Sequence, residues 1–209
     1  VVWTHNPPQY DMGYQAVLLG HSQFKPSATA IAPHAAYCGY LRHDQVFHMS
    51  GGTSGAPGRI WANTHEDESV KAVLRLGGNN LLGMTAHYND SEVADYQNWV
   101  DLALANNNPG IKVFIMMPYP PHEWRTYAQA RAEVDFITGL IRQRIDGLRT
   151  LFPGVEFFCI PTGEGVVRLW ELLELDLLPE VLGDRRGDDD PAGLYLYNDS
   201  LHGSSIVNE

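Results

Sequence analysis

A serine near the start of the chain and an Asp–His pair near its end have the types and spacing for nucleophilic chemistry. Ser22 follows an apolar run and a glycine in the stretch AVLLGHSQF. Asp199 and His202 stand three residues apart in YNDSLHGS, a spacing that puts both side chains on one face of a helical turn. A carboxylate there can hold the imidazole in the tautomer that accepts a proton from a serine hydroxyl. Each piece alone has a plainer explanation, as a loop serine and as a helix N-cap beside a surface histidine.

A serine nucleophile also needs donors for the oxyanion, and two glycine-containing stretches offer them. HMSGGTSGAPG, residues 48–58, contains small residues that let a backbone N–H approach a substrate oxygen closely. Gly55 is the first candidate donor in this stretch and Gly52 is its rival. LRLGGNNLLG presents Asn79 and Asn80 after a glycine pair, and a side-chain amide fixed there could donate to the same oxygen. Taken singly, the first stretch also fits a flexible loop and the second a glycine turn.

Short apolar runs alternate with helical patterns and predict the elements that must position these residues. The runs that indicate buried strands are YQAVLLG, DQVFHM, KAVLRLG, IKVFIMM and VEFFCIP. Helices are predicted over residues 90–107, 125–152 and 162–178, and the chain ends on LHGSSIVNE, which resembles the start of a helix cut short. We therefore expect one α/β domain over residues 1–209, a three-layer doubly wound (flavodoxin-like) five-stranded parallel sheet with helices on both faces. Ligands of such sheets bind beyond the carboxyl ends of the strands, where Ser22 is expected.

In chain order, the four pieces resemble the blocks of the SGNH (GDSL-type) hydrolase superfamily, and its carbohydrate-esterase-like branch in particular. LLGHSQF resembles the first block, GGTSGAP the second, LGGNN the third and DSLH the last. The resemblance implies a nucleophile, a base, an orienting acid and an oxyanion hole. The residues in these roles are Ser22, His202 and Asp199 for the triad, and the Ser22 amide, the Gly55 amide and the Asn79 side chain for the oxyanion hole.

Two residues depart from the family pattern. His21 stands before the serine and Asn80 after the asparagine, where the family usually has aspartate. Those carboxylates brace the loops of the family's site without taking part in the chemistry. The departures therefore bear on the subfamily more than on the mechanism.

The reaction implied is hydrolysis of short-chain, acetyl-type esters on a carbohydrate, through an acyl-enzyme. Two alternatives stay open: an acyltransferase with the same triad, and a binding module that has lost catalysis. His21, Tyr119 and Trp124 are the candidate substrate-binding residues, the last two within MMPYPPHEW, which follows the fourth strand run. Aromatic rings there could stack on a sugar, although packing beside prolines explains them equally well.

The composition limits the classes of partner that the protein is expected to bind. A formal net charge of -11 argues against nucleic acid and anionic membranes, which would repel the chain, and no stretch is apolar enough to span a bilayer. Nine histidines without HExxH-like pairing and two cysteines without zinc-ligand spacing predict no metal and no cofactor. The acidic stretch GDRRGDDDPAG indicates a solvated loop, with a calcium site or a substrate rim as alternatives. The expected partner is a small-molecule or saccharide ester, while compartment and oligomeric state stay open.

Overall fold

The computed structural model describes residues 12–63, 68–87, 91–119, 126–185 and 194–197. The strands are β1 (Gln15–His21), β2 (Asp44–Ser50), β3 (Leu81–Thr85), β4 (Lys112–Met116), β5 (Glu156–Ile160), β6 (Val181–Arg185) and β7 (Leu194–Tyr197). The helices are α1 (Lys25–Tyr37), α2 (Pro57–Ala62), α3 (Glu68–Leu76), α4 (Val93–Ala105), α5 (Tyr127–Leu151) and α6 (Thr162–Glu174). A 3₁₀ turn over Gly52–Gly55 precedes α2.

The main sheet has the strand order β2-β1-β3-β4-β5, and every neighbouring pair is parallel. This confirms the predicted α/β fold with a five-stranded parallel sheet. The chain leaves β1 to form β2 on one side and returns to form β3 on the other. The carboxyl ends of β1 and β3 therefore flank the point where the strand order reverses, which is where doubly wound sheets bind ligands. Strands β6 and β7 form a separate parallel pair.

Alternation of side chains along β1 divides the interior into two cores. Val17 and Leu19 belong to the larger core, which continues through α3, α4, α5 and α6. Ala16 and Leu18 point to the smaller core, where Phe24 and α1 residue Ala28 pack against β4. Adjacent residues of a strand face opposite sides of the sheet, so helices cover both of its faces. The continuous apolarity of the strand runs has this physical origin.

Helix α5 follows its sequence pattern closely. Its first turn is capped by the Thr126 hydroxyl, which accepts a hydrogen bond from the backbone N–H of Gln129. The apolar positions at three- and four-residue steps are buried against the sheet: Val134, Ile137, Ile141, Ile145 and Leu148. The predicted bounds of 125–152 differ from the observed helix by no more than two residues.

The prediction of a strand in KAVLRLG is wrong, because these residues lie at the end of α3 and the loop after it. Val70 and Leu74 are fully buried and four residues apart, which is one face of a helix. The third strand is formed instead by the five residues LLGMT, Leu81–Thr85. A short apolar run fits a buried strand and a half-buried helix equally well until its partners are known.

Candidate active site

Ser22 lies in a tight turn directly after the carboxyl end of β1. The turn is closed by a 2.9 Å hydrogen bond from the Phe24 backbone N–H to the His21 carbonyl oxygen, and α1 begins at Lys25. Ser22 itself is half-buried. Glycine precedes the motif for a steric reason: a Cβ on Gly20 would lie 2.3 Å from the Thr85 hydroxyl oxygen on β3. The sequence prediction that Ser22 follows the first strand, at the ligand-binding edge of the sheet, agrees with this geometry.

His21 is buried beneath the turn, with an exposed fraction of only 5%. Its Nε2 lies 3.2 Å from the Ala86 carbonyl oxygen, and its Nδ1 lies 3.4 Å from the Gln23 backbone nitrogen. The His87 ring meets it edge to face, with 6.0 Å between ring centroids. Both nitrogens therefore contact protein groups. The His21 residue, which is predicted from the sequence to bind substrate, is almost fully buried and offers a substrate little surface.

Gly55 lies against the same turn from the side of β2. It is buried, and a Cβ there would come within 2.5 Å of the His21 Cβ and 2.6 Å of the Gly20 carbonyl oxygen. Only glycine allows the two backbones to approach so closely. Its rival Gly52 is exposed, has a φ of 52°, and would meet nothing within 4 Å. Of the two glycines, Gly55 is the one that the fold brings to the Ser22 turn.

Tyr119 does not form an exposed aromatic wall. It is 3% exposed and belongs to the larger core. Its backbone carbonyl accepts a 3.3 Å hydrogen bond from the Gln23 side-chain amide, which ties the segment after β4 to the Ser22 turn. The Tyr119 ring, which is predicted from the sequence to bind substrate, therefore offers a substrate almost no surface. Trp124, the other aromatic candidate, lies outside the described residues.

Asn79 lies at the opposite end of the sheet from Ser22. It precedes β3, whereas Ser22 follows the parallel strand β1, so the length of the sheet, roughly 20 Å at ~3.3 Å per residue, separates them. The neighbouring residue Asn80 confirms the placement, because its backbone N–H bonds the carbonyl of Gln15 at the start of β1 at 3.1 Å. The prediction that Asn79 donates to the oxyanion is wrong.

The Asn79 side chain has a structural partner instead. Its Nδ2 donates to the Asn108 Oδ1 at 2.8 Å and to the Val73 carbonyl at 3.1 Å. Asn108 in turn donates to the carbonyls of Leu74 and Ala103 at 2.9 and 2.8 Å. Asn79 and Asn108 are almost fully buried. The pair thus satisfies backbone carbonyls at the ends of α3 and α4, on the edge of the sheet away from the candidate site.

The sequence has another asparagine, Asn89, four residues after the carboxyl end of β3, which the sequence reasoning did not consider. The chain leaves β3 at Thr85, and the His87 backbone N–H then bonds the hydroxyl of buried Ser91 at 3.0 Å. Residues 88–90, Tyr-Asn-Asp, lie between these two points and outside the described residues. Asn89 is followed by Asp90 in the sequence.

The base and its orienting acid, His202 and Asp199, lie outside the described residues. Strand β7 ends at Tyr197, two residues before Asp199. Of the candidate residues, the structure brings together Ser22, His21 and Gly55, and it places Asn79 elsewhere. Within the described part of the chain, no group of three or more His, Cys, Asp or Glu side chains could hold a metal ion.

One cavity of about 720 Å³ lies away from the Ser22 turn. Its walls come from the start of β1, from α1 and from the start of β3, and include Tyr14, Ile31, Ala35, Cys38 and Leu81. Ser22, Gly55 and Asn79, the candidate catalytic and oxyanion residues that the structure describes, do not line it. We therefore locate the candidate site at the carboxyl ends of the strands and not in this cavity.

Comparison with known proteins adds no relative. No protein-family model, no curated protein and no solved structure matches the chain. Among the helices that the structure describes, none is long and apolar enough to cross a membrane.

Proposed function

We propose that the protein is a serine esterase with Ser22 as its nucleophile. The observation that carries the proposal is the Ser22 turn, which follows the central strand β1 at the reversal of strand order while buried Gly55 packs against it. A half-buried hydroxyl at this edge can meet a substrate and still be shielded from bulk water. The SGNH resemblance adds Asp199 and His202 as acid and base on the strength of their spacing.

The proposed reaction has two steps. His202 takes the proton of the Ser22 hydroxyl as its Oγ attacks the ester carbonyl carbon, and Asp199 holds the imidazole in the required tautomer. The anion of the tetrahedral intermediate is stabilised by the backbone N–H groups of Ser22 and Gly55 and by the side-chain amide of Asn89. His202 then gives its proton to the departing alkoxide. Water, activated by the same base, releases the acid from the acyl-enzyme.

The proposed substrate class is a short acyl ester, of the acetyl type, on a hydroxyl-rich alcohol such as a saccharide. Support comes from the loop beside the Ser22 turn, where residues 51–54 are exposed and have the sequence Gly-Gly-Thr-Ser. These small, uncharged residues supply no apolar surface for a long acyl chain, but their hydroxyls and amides suit sugar hydroxyls. The resemblance to carbohydrate esterases points the same way.

Labelling with a serine-directed fluorophosphonate tests the nucleophile. The wild-type protein and Ser27→Ala, a matched serine variant in α1, should both be labelled, whereas Ser22→Ala should not. Ester hydrolysis by Ser22→Ala should fall by about 10³-fold or more, with the melting temperature nearly unchanged. Wild-type protein that resists labelling would instead be a binding module. Labelled protein that transfers acetyl groups to alcohols faster than to water would be an acyltransferase.

A further inference from the structure

Two hydrogen-bond contacts of the His21 ring favour one of its tautomers. The Ala86 carbonyl oxygen can only accept a hydrogen bond, so Nε2, at 3.2 Å, carries the proton. The Gln23 backbone N–H can only donate, so Nδ1, at 3.4 Å, is the bare nitrogen. A doubly protonated ring would direct an N–H at another N–H. The neutral Nε2–H tautomer is therefore the form that suits this site, and its shorter contact with Ala86 is the stronger one.

His21 also stands where three loops meet. It forms the start of the Ser22 turn, and its Cβ is the atom that excludes any side chain from Gly55. Its Nε2 reaches Ala86, the first residue after β3, whose own N–H bonds the Met116 carbonyl at 3.0 Å. Ala86 leads through His87 into the segment that carries Asn89. The ring thus links the nucleophile turn to the end of β3.

We propose that His21 is a positioning residue, whose Nε2–H tautomer ties the Ser22 turn to the end of β3 and so holds the nucleophile in place. The inference rests on the proposed function. It assigns His21 a role in which the ring contacts neither substrate nor reacting atoms. The carboxylate that the family usually has at this position cannot donate to a carbonyl oxygen when ionised, so the tie to Ala86 depends on an N–H donor at position 21.

Three variants separate this role from simple packing. His21→Leu removes both polar contacts, whereas His21→Gln can place an amide N–H where Nε2 lies and so keep the bond to Ala86. His43→Leu is the matched control, because the His43 ring is also held at both nitrogens, by the Tyr14 N–H at 3.4 Å and the Gln45 side chain at 3.2 Å. That histidine lies at the opposite end of the sheet, before β2.

We expect His21→Leu to lower kcat about 10- to 100-fold with KM within about threefold of wild type, since a small misplacement of a nucleophile is that costly. His21→Gln should recover kcat to within about fivefold of wild type, and His43→Leu should leave kcat unchanged. Equal losses in the Leu and Gln variants, or a rise in KM alone, would overturn the proposal. The variants are compared after their melting temperatures have been shown to lie above the assay temperature.

Imidazole ¹H–¹⁵N spectra of the wild-type protein test the geometry without any activity. We expect the His21 ring to show one protonated nitrogen, Nε2, at about pH 7.5; an Nδ1–H ring or a mixture of tautomers would overturn the tie to Ala86. Absence of fluorophosphonate labelling in the wild type would contradict the proposed function itself. Normal labelling of the wild type together with an unchanged kcat in His21→Leu would contradict only the proposed role of His21.

Discussion

Asn79 and Asn89 offer a matched pair of residues with opposite expected effects. Asn79→Ala removes the contacts with Asn108 and the Val73 carbonyl, so unfolding should become easier by about 1–3 kcal/mol while kcat/KM holds. Asn89→Ala should lower kcat by about 10²–10³-fold with little change in stability, because an oxyanion donor is lost. Urea denaturation and ester hydrolysis measure the two quantities. A folded Asn79→Ala protein with Asn89-like loss of activity would contradict the proposal of Asn89 as the donor.

The proposed base implies that the proposed ester hydrolysis depends on pH. Only neutral imidazole can accept the Ser22 proton, so kcat/KM should be low in acid, rise as the His202 imidazole loses its proton, and then reach a plateau. Asp199→Asn should lower kcat strongly without unfolding the protein, since the imidazole loses its orienting partner. Stopped-flow rates with an activated acetyl ester measure both effects. A flat profile between about pH 5 and 8, with chemistry rate-limiting, would exclude His202 as the base.

At the scale of elements, α5 and α6 are joined by a two-point ion pair. The Arg131 guanidinium donates from Nη1 and Nη2 to the two Glu164 oxygens at 2.7 and 2.8 Å, and these hydrogen bonds hold the pKa of the Glu164 carboxyl below its usual range. A depressed carboxyl pKa stabilises the fold above the unfolded value of ~4.3, and the effect is lost as pH falls through the folded value.

Glu164→Gln should therefore lower the free energy of unfolding by about 0.5–1 kcal/mol at pH 7, a modest amount because both side chains are partly exposed. The difference from wild type should shrink as pH falls below ~4.3 and vanish once pH is below the folded pKa of Glu164. The control is Asp146→Asn, which breaks an exposed pair within α5 itself and should change stability less. Thermal denaturation at several pH values measures this, and a difference that persists in acid would show that the loss is steric.

The comparison of α5 with α3 shows which helices can be predicted from the sequence. Helix α5 is long, and the regular spacing of its apolar residues predicted both of its ends to within two residues. The segment KAVLRLG is short, and its apolar residues could as well form a strand until Asn79 and Asn108 are known to close the end of α3. That single misassignment misplaced the third strand, and it led to the choice of Asn79, at the other end of the sheet from Ser22, as the predicted oxyanion donor.

At the scale of the whole molecule, alternation of strands and helices was enough to predict the parallel sheet, and with it the edge where Ser22 lies. That alternation could not predict the contacts between residues of different loops. The tie from His21 to Ala86 joins residues 65 positions apart, and Tyr119 is buried although it stands among prolines in a polar-looking stretch. Such contacts depend on how the ends of β1, β3 and β4 come together, which no local pattern encodes.

The surface and charge of the whole chain bear on the last prediction, the substrate. Residues 51–54 form an exposed polar loop beside Ser22, and the net charge of -11 disfavours anionic ligands at low ionic strength. We expect kcat/KM for acetyl esters to exceed that for octanoyl esters by about tenfold or more, and acetate to be released from acetylated oligosaccharides.

Acetylated uronic-acid oligomers should bind better as salt is added, whereas neutral ones should respond little. A nitrophenyl-ester series beside both kinds of oligosaccharide makes the measurement; faster octanoyl cleavage with no acetate from any saccharide would indicate a lipolytic or thioesterase activity instead.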